Sequence, residues 1–580
     1  MIKEFKIDLL FIINNKYNMT DLKNIIKNND VIVNEINQNL HNNGVNFSKR
    51  INIIINLMEY KFLNKPFKNE DIDQKLEEDL LKLIKNISIS KEELCQKIFM
   101  FYGKEYVKTD LDQYYTPITI GQFICNLCIP KKLIIDPAAG TGDLAISYDG
   151  EIHLWDISKD VIELTELNCK FQNKKAEIKQ INSLEKHTDN NNSFDYVTLN
   201  PPFGSKTIIN DKNILTNYKI GINEKKQEVG MLFIERSINL LNNNGVAFII
   251  IPNGYLGNTT SQCIKLRQYL LKYNILGVIQ LPSGTFSRSG TGVSTSMIIV
   301  SKNTDIISDE IFVYDLKEIG YILNKKNTPY NYLKDGNDYI LDDNNLPIIL
   351  TDYKDCSDKF YNFIIKNKIQ NINVPNDFVF NSEIKYECIN RQELDNNCIL
   401  DIKRYLKIYR NVISKYSDKK KLIDYINKSN FSFQKQSNKE YLYLDIKQVN
   451  TPFYDNTNFM LGGKLPDRAK FKLNMNDIIV CKLKGKMKFT LVLEEQDNIV
   501  CTSGFYIIRP KTQEDLLIIF GNLFTEEFKI QHQSLTRGSI MEGISDTDIE
   551  NILINEDIDI VKYKKIIDAM KLLKIELTSL

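Results

Sequence analysis

Over residues 1–110 apolar positions return at the spacing of one helix face, as in Ile51-Asn-Ile-Ile-Ile-Asn-Leu-Met-Glu-Tyr60 and Leu76-Glu-Glu-Asp-Leu-Leu-Lys-Leu-Ile84, with few glycines. This predicts a helical N-terminal domain. Over residues 111–305 the pattern changes to short apolar runs, Leu133 to Ile135, Glu151 to Trp155, a run closing at Ile181, Phe194 to Leu199, Val246 to Ile251, Ile275 to Leu281 and Ser296 to Val300. Helical stretches lie between them, such as Ile120 to Cys128, Glu228 to Leu241 and Ser261 to Lys272. Alternation of this kind predicts an α/β, Rossmann-like, doubly wound domain of about seven strands. Residues 306–430 read as a connecting region, polar and asparagine-rich at first and helical from Ile399 to Ile426, and nothing over 306–400 suggests chemistry. A strand-rich α+β module follows over 431–555. The chain ends in a helix over 556–580, whose apolar face is Ile558, Ile560, Val561, Ile566, Ile567, Met570, Leu572, Leu573 and Ile575.

At 580 residues the chain exceeds what one core organises, so several domains are expected. Its 75 Lys and Arg nearly balance 74 Asp and Glu, so a nucleic-acid partner would have to be met by a local basic face. Ten irregularly spaced cysteines indicate reduced thiols and a cytoplasmic setting. The CxxC formed by Cys125 and Cys128 has no second pair or histidine nearby and lies in a helical stretch, which favours packing; no metal is expected. No stretch approaches the roughly 20 apolar residues of a membrane span, so no membrane partner is expected.

The run Phe194 to Leu199 leads into Asn200-Pro201-Pro202-Phe203-Gly204. Two prolines fix φ and hold Asn200 extended, so the turn after the strand is stiff. The Asn200 side-chain oxygen and the Pro201 carbonyl can both accept from one planar amino group, and Phe203 offers a ring for a flat heterocycle to stack on. An ordinary turn with two prolines is the alternative. Upstream, Asp136-Pro-Ala138-Ala-Gly140-Thr-Gly142 follows the first strand, where open α/β sheets bind cofactors. It lacks the third glycine of the dinucleotide fingerprint, and Asp136 would repel a pyrophosphate, so a positively charged cofactor fits better. Asp156 ends the second strand and is placed to accept from ribose hydroxyls; Asn182 ends the third and reaches an adenine edge. Sulfonium, ribose and adenine together describe S-adenosylmethionine. Phe286, in a glycine-rich loop, is either a second stacking wall or a cap on the core. Downstream, Lys482, Lys484, Lys486 and Lys488 alternate with Leu483, Gly485, Met487 and Phe489. Read as one strand from Asp477 to Phe489, this places the ammoniums on one face, either as a phosphate-tracking stripe or as a solvated outer face. Arg468 and Arg537 are candidates for reading bases or for surface ion pairs.

The order Tyr114-Tyr115-Thr116-Pro117, Asp136-Pro-Ala-Ala-Gly-Thr-Gly142, Asp156, Asn200-Pro-Pro-Phe203 and Thr285-Phe-Ser-Arg-Ser-Gly-Thr-Gly-Val-Ser-Thr-Ser296 resembles the γ-type adenine-N6 DNA methyltransferases. It is most similar to the modification subunits of type I restriction-modification systems. Residues 431–555 resemble one target-recognition domain, half of a specificity subunit, through Leu473-Asn-Met-Asn-Asp477, Cys501-Thr-Ser-Gly504 and Gly538-Ser-Ile-Met-Glu-Gly-Ile-Ser-Asp-Thr-Asp548; residues 556–580 resemble the spacer helix that follows it. Two departures stand out: Asn182 where many relatives carry an acidic residue, and fusion of the recognition half to the methylating part. The resemblance implies that Tyr115 and Thr116 help hold the methionine end of the cofactor. It also implies methyl transfer to an adenine amino group in double-stranded DNA, the base rotated out and stacked on Phe203. Cytosine N4 is the near alternative, and an RNA base or a protein glutamine the distant ones. A homodimer or a separate restriction subunit are the partners it suggests, since no nuclease or translocase segment is visible.

Overall fold

The computed structural model describes residues 32–578 except 68, 86–90, 107–114, 186–190, 204–206, 290, 324–328, 337, 343–346, 429–430, 486 and 540–541. Tyr114, Gly204, Lys486 and residues 1–31 of the expected helical domain therefore lie outside the described residues. The chain forms two compact units, Met1–Leu400 and Asp401–Leu580.

In the first unit, helices α1 (32–42), α2 (Phe47–Leu63), α3 (Gln74–Lys85) and α4 (Lys91–Tyr106) precede the sheet. The spacing of Leu76, Leu80 and Ile84 makes α3 a one-sided helix. Its first turn is capped by Asp73, whose Oδ1 accepts from the Leu76 amide at 2.8 Å. The buried faces share one core that takes in Leu164 and Phe171 of α6 (Lys159–Gln172), so the helical layer is packed onto the sheet domain.

Helix α5 (Ile118–Leu127) leads into the sheet strands β1 (Leu133–Asp136), β2 (Glu151–Asp156), β3 (Ala176–Gln180), β4 (Phe194–Leu199), β5 (Leu241–Pro252), β6 (Asn274–Gln280) and β7 (Thr295–Ser301). Helices α7 (Val229–Leu240) and α8 (Ser261–Leu270) fall between them. These are the seven strands expected. Among the described residues the sheet holds nine, with β8 (Glu310–Asp315) and β9 (Glu387–Asn390) added, in the order β9-β8-β6-β7-β5-β4-β1-β2-β3. Strands β1 to β5 pair in parallel, and β7 is antiparallel to both β5 and β6. The two further strands, β8 (Glu310–Asp315) and β9 (Glu387–Asn390), come from the segment in which no chemistry was legible. β8 runs parallel to β6, with Phe312 opposite Gly277, and α9 (Tyr353–Lys366) packs Phe360 and Phe363 against Phe312. Residues 306–400 are thus part of the sheet domain. Cys125 and Cys128 are buried in the same core.

Because β1 lies between β2 and β4, and the chain passes from one side of the sheet to the other after β3, the carboxyl ends of these three strands form a topological switch point. Asp136, Asp156 and Leu199 are their last residues.

The second unit contains a four-stranded and a three-stranded sheet. The strands of these two sheets are β10 (Glu440–Leu444), β11 (Phe459–Leu461), β12 (Ala469–Lys472), β13 (Ile478–Cys481), β14 (Phe489–Leu491), β15 (Ile499–Thr502) and β16 (Phe505–Ile508), in the orders β11-β10-β15-β12 and β14-β13-β16. Alternation along β13 divides two cores: Ile478 and Val480 face helices α11 (Gln513–Asn522) and α12 (Glu526–Ser534), while Ile479 and Cys481 join Leu442, Leu444 and Ile499. Helix α10 (Lys407–Lys415) precedes the strands, and the terminal helix is α13 (Ile560–Thr578). On α13 only one stripe of the expected apolar face is inside: Ile567 and Met570 are buried, whereas Val561, Leu572 and Leu573 are exposed and the Ile575 side chain is outside the described set. A helix presents a single stripe to one neighbour, and these three fall off it.

Candidate active site

The loop after β1 is held from below by hydrogen bonds to side chains of α6. Thr165 donates to the Gly140 carbonyl at 2.6 Å and Asn168 to the Thr141 carbonyl at 2.8 Å. From the front, Asp136 Oδ1 accepts from the Ala138 amide at 3.0 Å, and Asp156 accepts from the amides of Gly140 and Ser158 at 3.1 and 2.9 Å. Asp156 therefore ties the end of β2 to the loop that leaves β1. Burial pushes the Asp136 carboxyl up to about 8, opposed by the Ala138 amide and reinforced by the nearby charges of Asp156 and Asp143. Asp156 is also raised by burial, against the amides it accepts from. Two carboxyl groups kept off water at one spot form a place prepared for positive charge or hydroxyl donors.

These groups open onto a cavity of about 240 Å³. Its lining contains Tyr115, Thr116, Asp136, Ala138, Gly140, Asp156, Asn182 and Asn200 together with Pro201 and Pro202. Of the residues expected around the cofactor, Gly142 alone does not line it; it sits at φ 86° under the loop, with Leu154 next to its Cα. The lining also takes in Thr141, Asp143, Ile157 and Ser183, which the sequence reading did not single out. Asp143 follows the glycine-rich turn directly, a signal that was there to be used. Its Oδ2 accepts from Thr141 Oγ1 at 3.0 Å and from Gln96 Nε2 at 2.7 Å. Gln96 lies on α4, away from every motif, and nothing in its sequence surroundings marks it. Tyr115 is anchored twice, its amide donating to Ser289 Oγ at 3.0 Å and its hydroxyl to the Phe99 carbonyl at 3.1 Å.

The Asn200 side chain reaches across to the opposite wall, where Nδ2 donates to Thr116 Oγ1 at 3.0 Å. Behind the turn α7 comes very close. A Cβ placed on Gly230 would lie 3.0 Å from the Tyr255 hydroxyl, 3.3 Å from the Pro202 carbonyl oxygen and 3.5 Å from Phe203 Cβ. The Tyr255 hydroxyl cannot simply yield, since it donates to Glu228 Oε2 at 2.6 Å. Gly230→Ala is accordingly expected to displace the proline turn and lower turnover about 10-fold, because small misplacements at a reacting centre are costly. Steady-state kinetics beside a thermal melt would check this; unchanged kcat would show that the turn absorbs the methyl group.

The two aromatic residues differ from expectation. Phe286 is fully buried and belongs to the core beneath the sheet with Leu281, Met297 and Tyr321, so it is not a stacking wall: the loop turns its ring inward, where burying a phenyl group is favourable. Phe203 is 2% exposed and is not among the lining residues, although Pro201 and Pro202 are.

In the second unit the expected lysine strand is broken. β13 stops at Cys481 and β14 resumes at Phe489, paired antiparallel with Val480 opposite Phe489, so the two strands form a hairpin rather than one continuous strand. Gly485 sits in it at φ 115°, a conformation that favours glycine. The three described lysines are held by partners within the protein rather than set in a free row. Lys482 pairs with Asp546 at 3.1 Å, Lys484 with Glu542 at 2.7 Å, and Lys488 donates to the Ile446 carbonyl at 2.9 Å. Arg537 is nearly buried and paired with Asp548, with 14% of its side chain exposed. Arg468, paired with Asp445, keeps 59% of its side chain exposed.

No described helix is long and apolar enough to cross a membrane. Among curated proteins the chain is 25% identical over 229 residues to the type I restriction enzyme EcoEI methylase subunit of Escherichia coli, covering 35% of this chain and 44% of that one. It is 27% identical over 278 residues to the type II methyltransferase M.AccI of Acinetobacter calcoaceticus, covering 43% and 48%. The matches thus span less than half the length of either relative. Among solved structures, the type IIG restriction endonuclease BpuSI aligns over 96% of this chain and 75% of its own, at 14% identity and a TM-score of 0.48. A type I restriction-modification methyltransferase subunit from Streptococcus thermophilus aligns over 65% and 79%, at 16% identity and a TM-score of 0.40. Residues 98–384, which contain the lining of the cavity, match the family model described as N-6 DNA Methylase.

Proposed function

We propose that this protein is a site-specific DNA methyltransferase that moves a methyl group from S-adenosylmethionine to the N6 amino group of an adenine rotated out of duplex DNA, within a restriction-modification or related system in the cytoplasm. One observation carries the reading: a single cavity is lined both by the buried carboxyl groups at the ends of β1 and β2 and by the Asn200-Pro201-Pro202 turn after β4. The family match over 98–384 supports it.

The residues present fit the cofactor. Asp156, with its two amide partners, retains lone pairs for the hydroxyls of a ribose. Ile157 and Asn182 offer an apolar surface and an amide for an adenine ring, Asp136 offers a carboxyl group that a bound cation would ionise, and Tyr115 closes the methionine end beside Thr116, whose hydroxyl is engaged by Asn200. What S-adenosylmethionine supplies when bound is a methyl group on a positively charged sulfonium. The protein's own part is to hold the target. Asn200 Oδ1 and the Pro201 carbonyl accept the two amino hydrogens, which localises the nitrogen lone pair otherwise shared with the ring and fixes its direction. No strong base is required before transfer, since hydrogen bonding and alignment make the amine nucleophilic; the surplus proton of the methylated amine is then lost to solvent. Stacking of the base on Phe203 requires exposure of a ring that is buried in this structure. In the C-terminal unit Arg468 is the residue best placed to read a guanine edge, because its guanidinium is exposed and steadied by Asp445.

Incubation of the protein with unmodified duplex DNA and S-adenosylmethionine, followed by mass spectrometry of the nucleosides, is expected to yield N6-methyladenine. N4-methylcytosine alone would overturn the choice of base. Transfer only to RNA or protein competitors would overturn the choice of substrate.

The raised Asp136 carboxyl gives a pH dependence. Its folded pKa of about 8 lies above the ordinary 3.8, so the free protein holds an extra proton between those values. The stability this group contributes is present at low pH and lost as pH rises through 8. A cationic cofactor favours the carboxylate, so its binding should expel a proton. Affinity is expected to rise between pH 6 and pH 8, by up to about 10-fold per unit. Calorimetry at pH 7 in two buffers of different ionisation heat would show the released proton, and Asp136→Asn should abolish it; equal heats for the unaltered protein would refute the coupling.

A further inference from the structure

The amide of Asn200 has two ends of nearly equal size and opposite hydrogen-bonding sense. Only the oxygen end can accept from a target amine; turned by 180°, the same side chain would present a donor to a donor. The proposed transfer therefore needs the side chain held with that end toward the amine, and Thr116 supplies the anchor. Its hydroxyl oxygen accepts from Asn200 Nδ2 at 3.0 Å, which holds the side chain with its oxygen end facing away from Thr116.

Thr116 is itself held from several directions. It is 4% exposed and stands immediately before Pro117, which restricts its backbone. Its carbonyl oxygen accepts from Gln96 Nε2 at 2.7 Å, and the same nitrogen donates to Asp143 Oδ2 at 2.7 Å. Both hydrogens of one Gln96 amide are thus used to join the segment before α5 to the loop after β1. Gln96 is 1% exposed and rides on α4, which packs against α6, the helix whose Thr165 and Asn168 hold that loop from below. The chain Gln96, Thr116, Asn200 runs from the N-terminal helical layer to the residue that meets the amine.

We propose that Thr116 is a positioning residue for methyl transfer, its hydroxyl anchoring the Asn200 side chain where the amide oxygen can meet the target amine, and that Gln96 keeps Thr116 in place. This rests on the transfer to an amino group proposed above. It assigns the helical layer a share in catalysis rather than packing alone.

Full-length Thr116→Val, which keeps the shape and removes the hydroxyl, is expected to lower kcat at saturating cofactor on the order of 10-fold or more, with the cofactor Kd from calorimetry within about threefold. Thr116→Ser should recover kcat to within about threefold of the unaltered protein. Thr116→Ala carries the same expectation as the valine change, so a folding defect in one variant does not decide the matter. Gln96→Met should show a smaller loss with the same division between kcat and Kd. If Thr116 instead serves only to hold the cofactor, the valine and alanine forms will bind it weakly and regain full kcat at saturation, which overturns the inference. Unchanged kcat and Kd in both forms overturns it as well. An unaltered protein that binds S-adenosylmethionine yet methylates no DNA base would remove the underlying reaction instead, and is told apart because it concerns the protein before any substitution.

Discussion

Replacing Asn200 by alanine is expected to lower methyl transfer at least about 10³-fold, roughly 4 kcal/mol in barrier, while cofactor affinity stays within a few-fold of its original value. The size follows from what is removed. The Asn200 oxygen would be one of two acceptors for the amino hydrogens, the other being a backbone carbonyl on a turn that two prolines hold rigid. Alanine leaves the carbonyl, the cavity and both carboxyl groups in place, so the amine loses its alignment without losing the neighbouring cofactor. Single-turnover assays with labelled cofactor would measure the chemical step, and calorimetry the binding. A variant that still methylates at more than a tenth of the original rate would remove Asn200 from the reaction.

Arg509→Ala is expected to destabilise the C-terminal unit by about 3 kcal/mol. Asp477 has 1% of its side chain exposed and accepts from Arg509 Nε and Nη2, each at 2.7 Å, and from the Asn474 amide at 2.8 Å. The Arg509 guanidinium also lies 4.9 Å from the centre of the Phe431 ring. Truncation would leave a buried carboxylate with only backbone donors, a far larger penalty than losing an exposed ion pair. Tryptophan fluorescence would miss the effect, because the sole tryptophan, Trp155, lies in the other unit. Hydrogen exchange resolved to β13 and β16 is the suitable measurement; a loss under about 1 kcal/mol would show that water reaches Asp477.

Much of the fold and the outline of the site were legible because apolar runs end where polar residues begin. Asp136 and Asp156 are the last residues of their strands and Asn200 follows one, so their position at the carboxyl edge can be read from one dimension. Other features depended on contacts that no local pattern announces. β8 and β9 pair with each other although one ends at Asp315 and the other begins at Glu387, and each is short enough to pass for loop. Period-two lysines on either side of Gly485 imitate one continuous strand, but the strand stops at Cys481 and resumes at Phe489, with Gly485 at positive φ between them. Phe286 sits in a glycine-rich loop as a surface ring would, and only the packing beneath that loop shows where it goes. Gln96 contributes through bonds to residues 20 and 47 positions away, beyond the reach of any motif.

The pairing of β8 with β6 sets a lower limit on how small a working fragment can be. β6 is buried from Asn274 to Ile279, and β8 supplies its second row of hydrogen-bonding partners, with Phe312 to Asp315 set against Gly277 to Gln280. A chain cut at residue 305 would carry a long, apolar, unsatisfied edge, the kind of surface that recruits strands from neighbouring molecules. The segment from 306 to 400 can therefore be regarded as a built-in stopper that ends the sheet within its own molecule, and inclusion of that segment, rather than of any motif, should separate fragments that stay dispersed from those that aggregate.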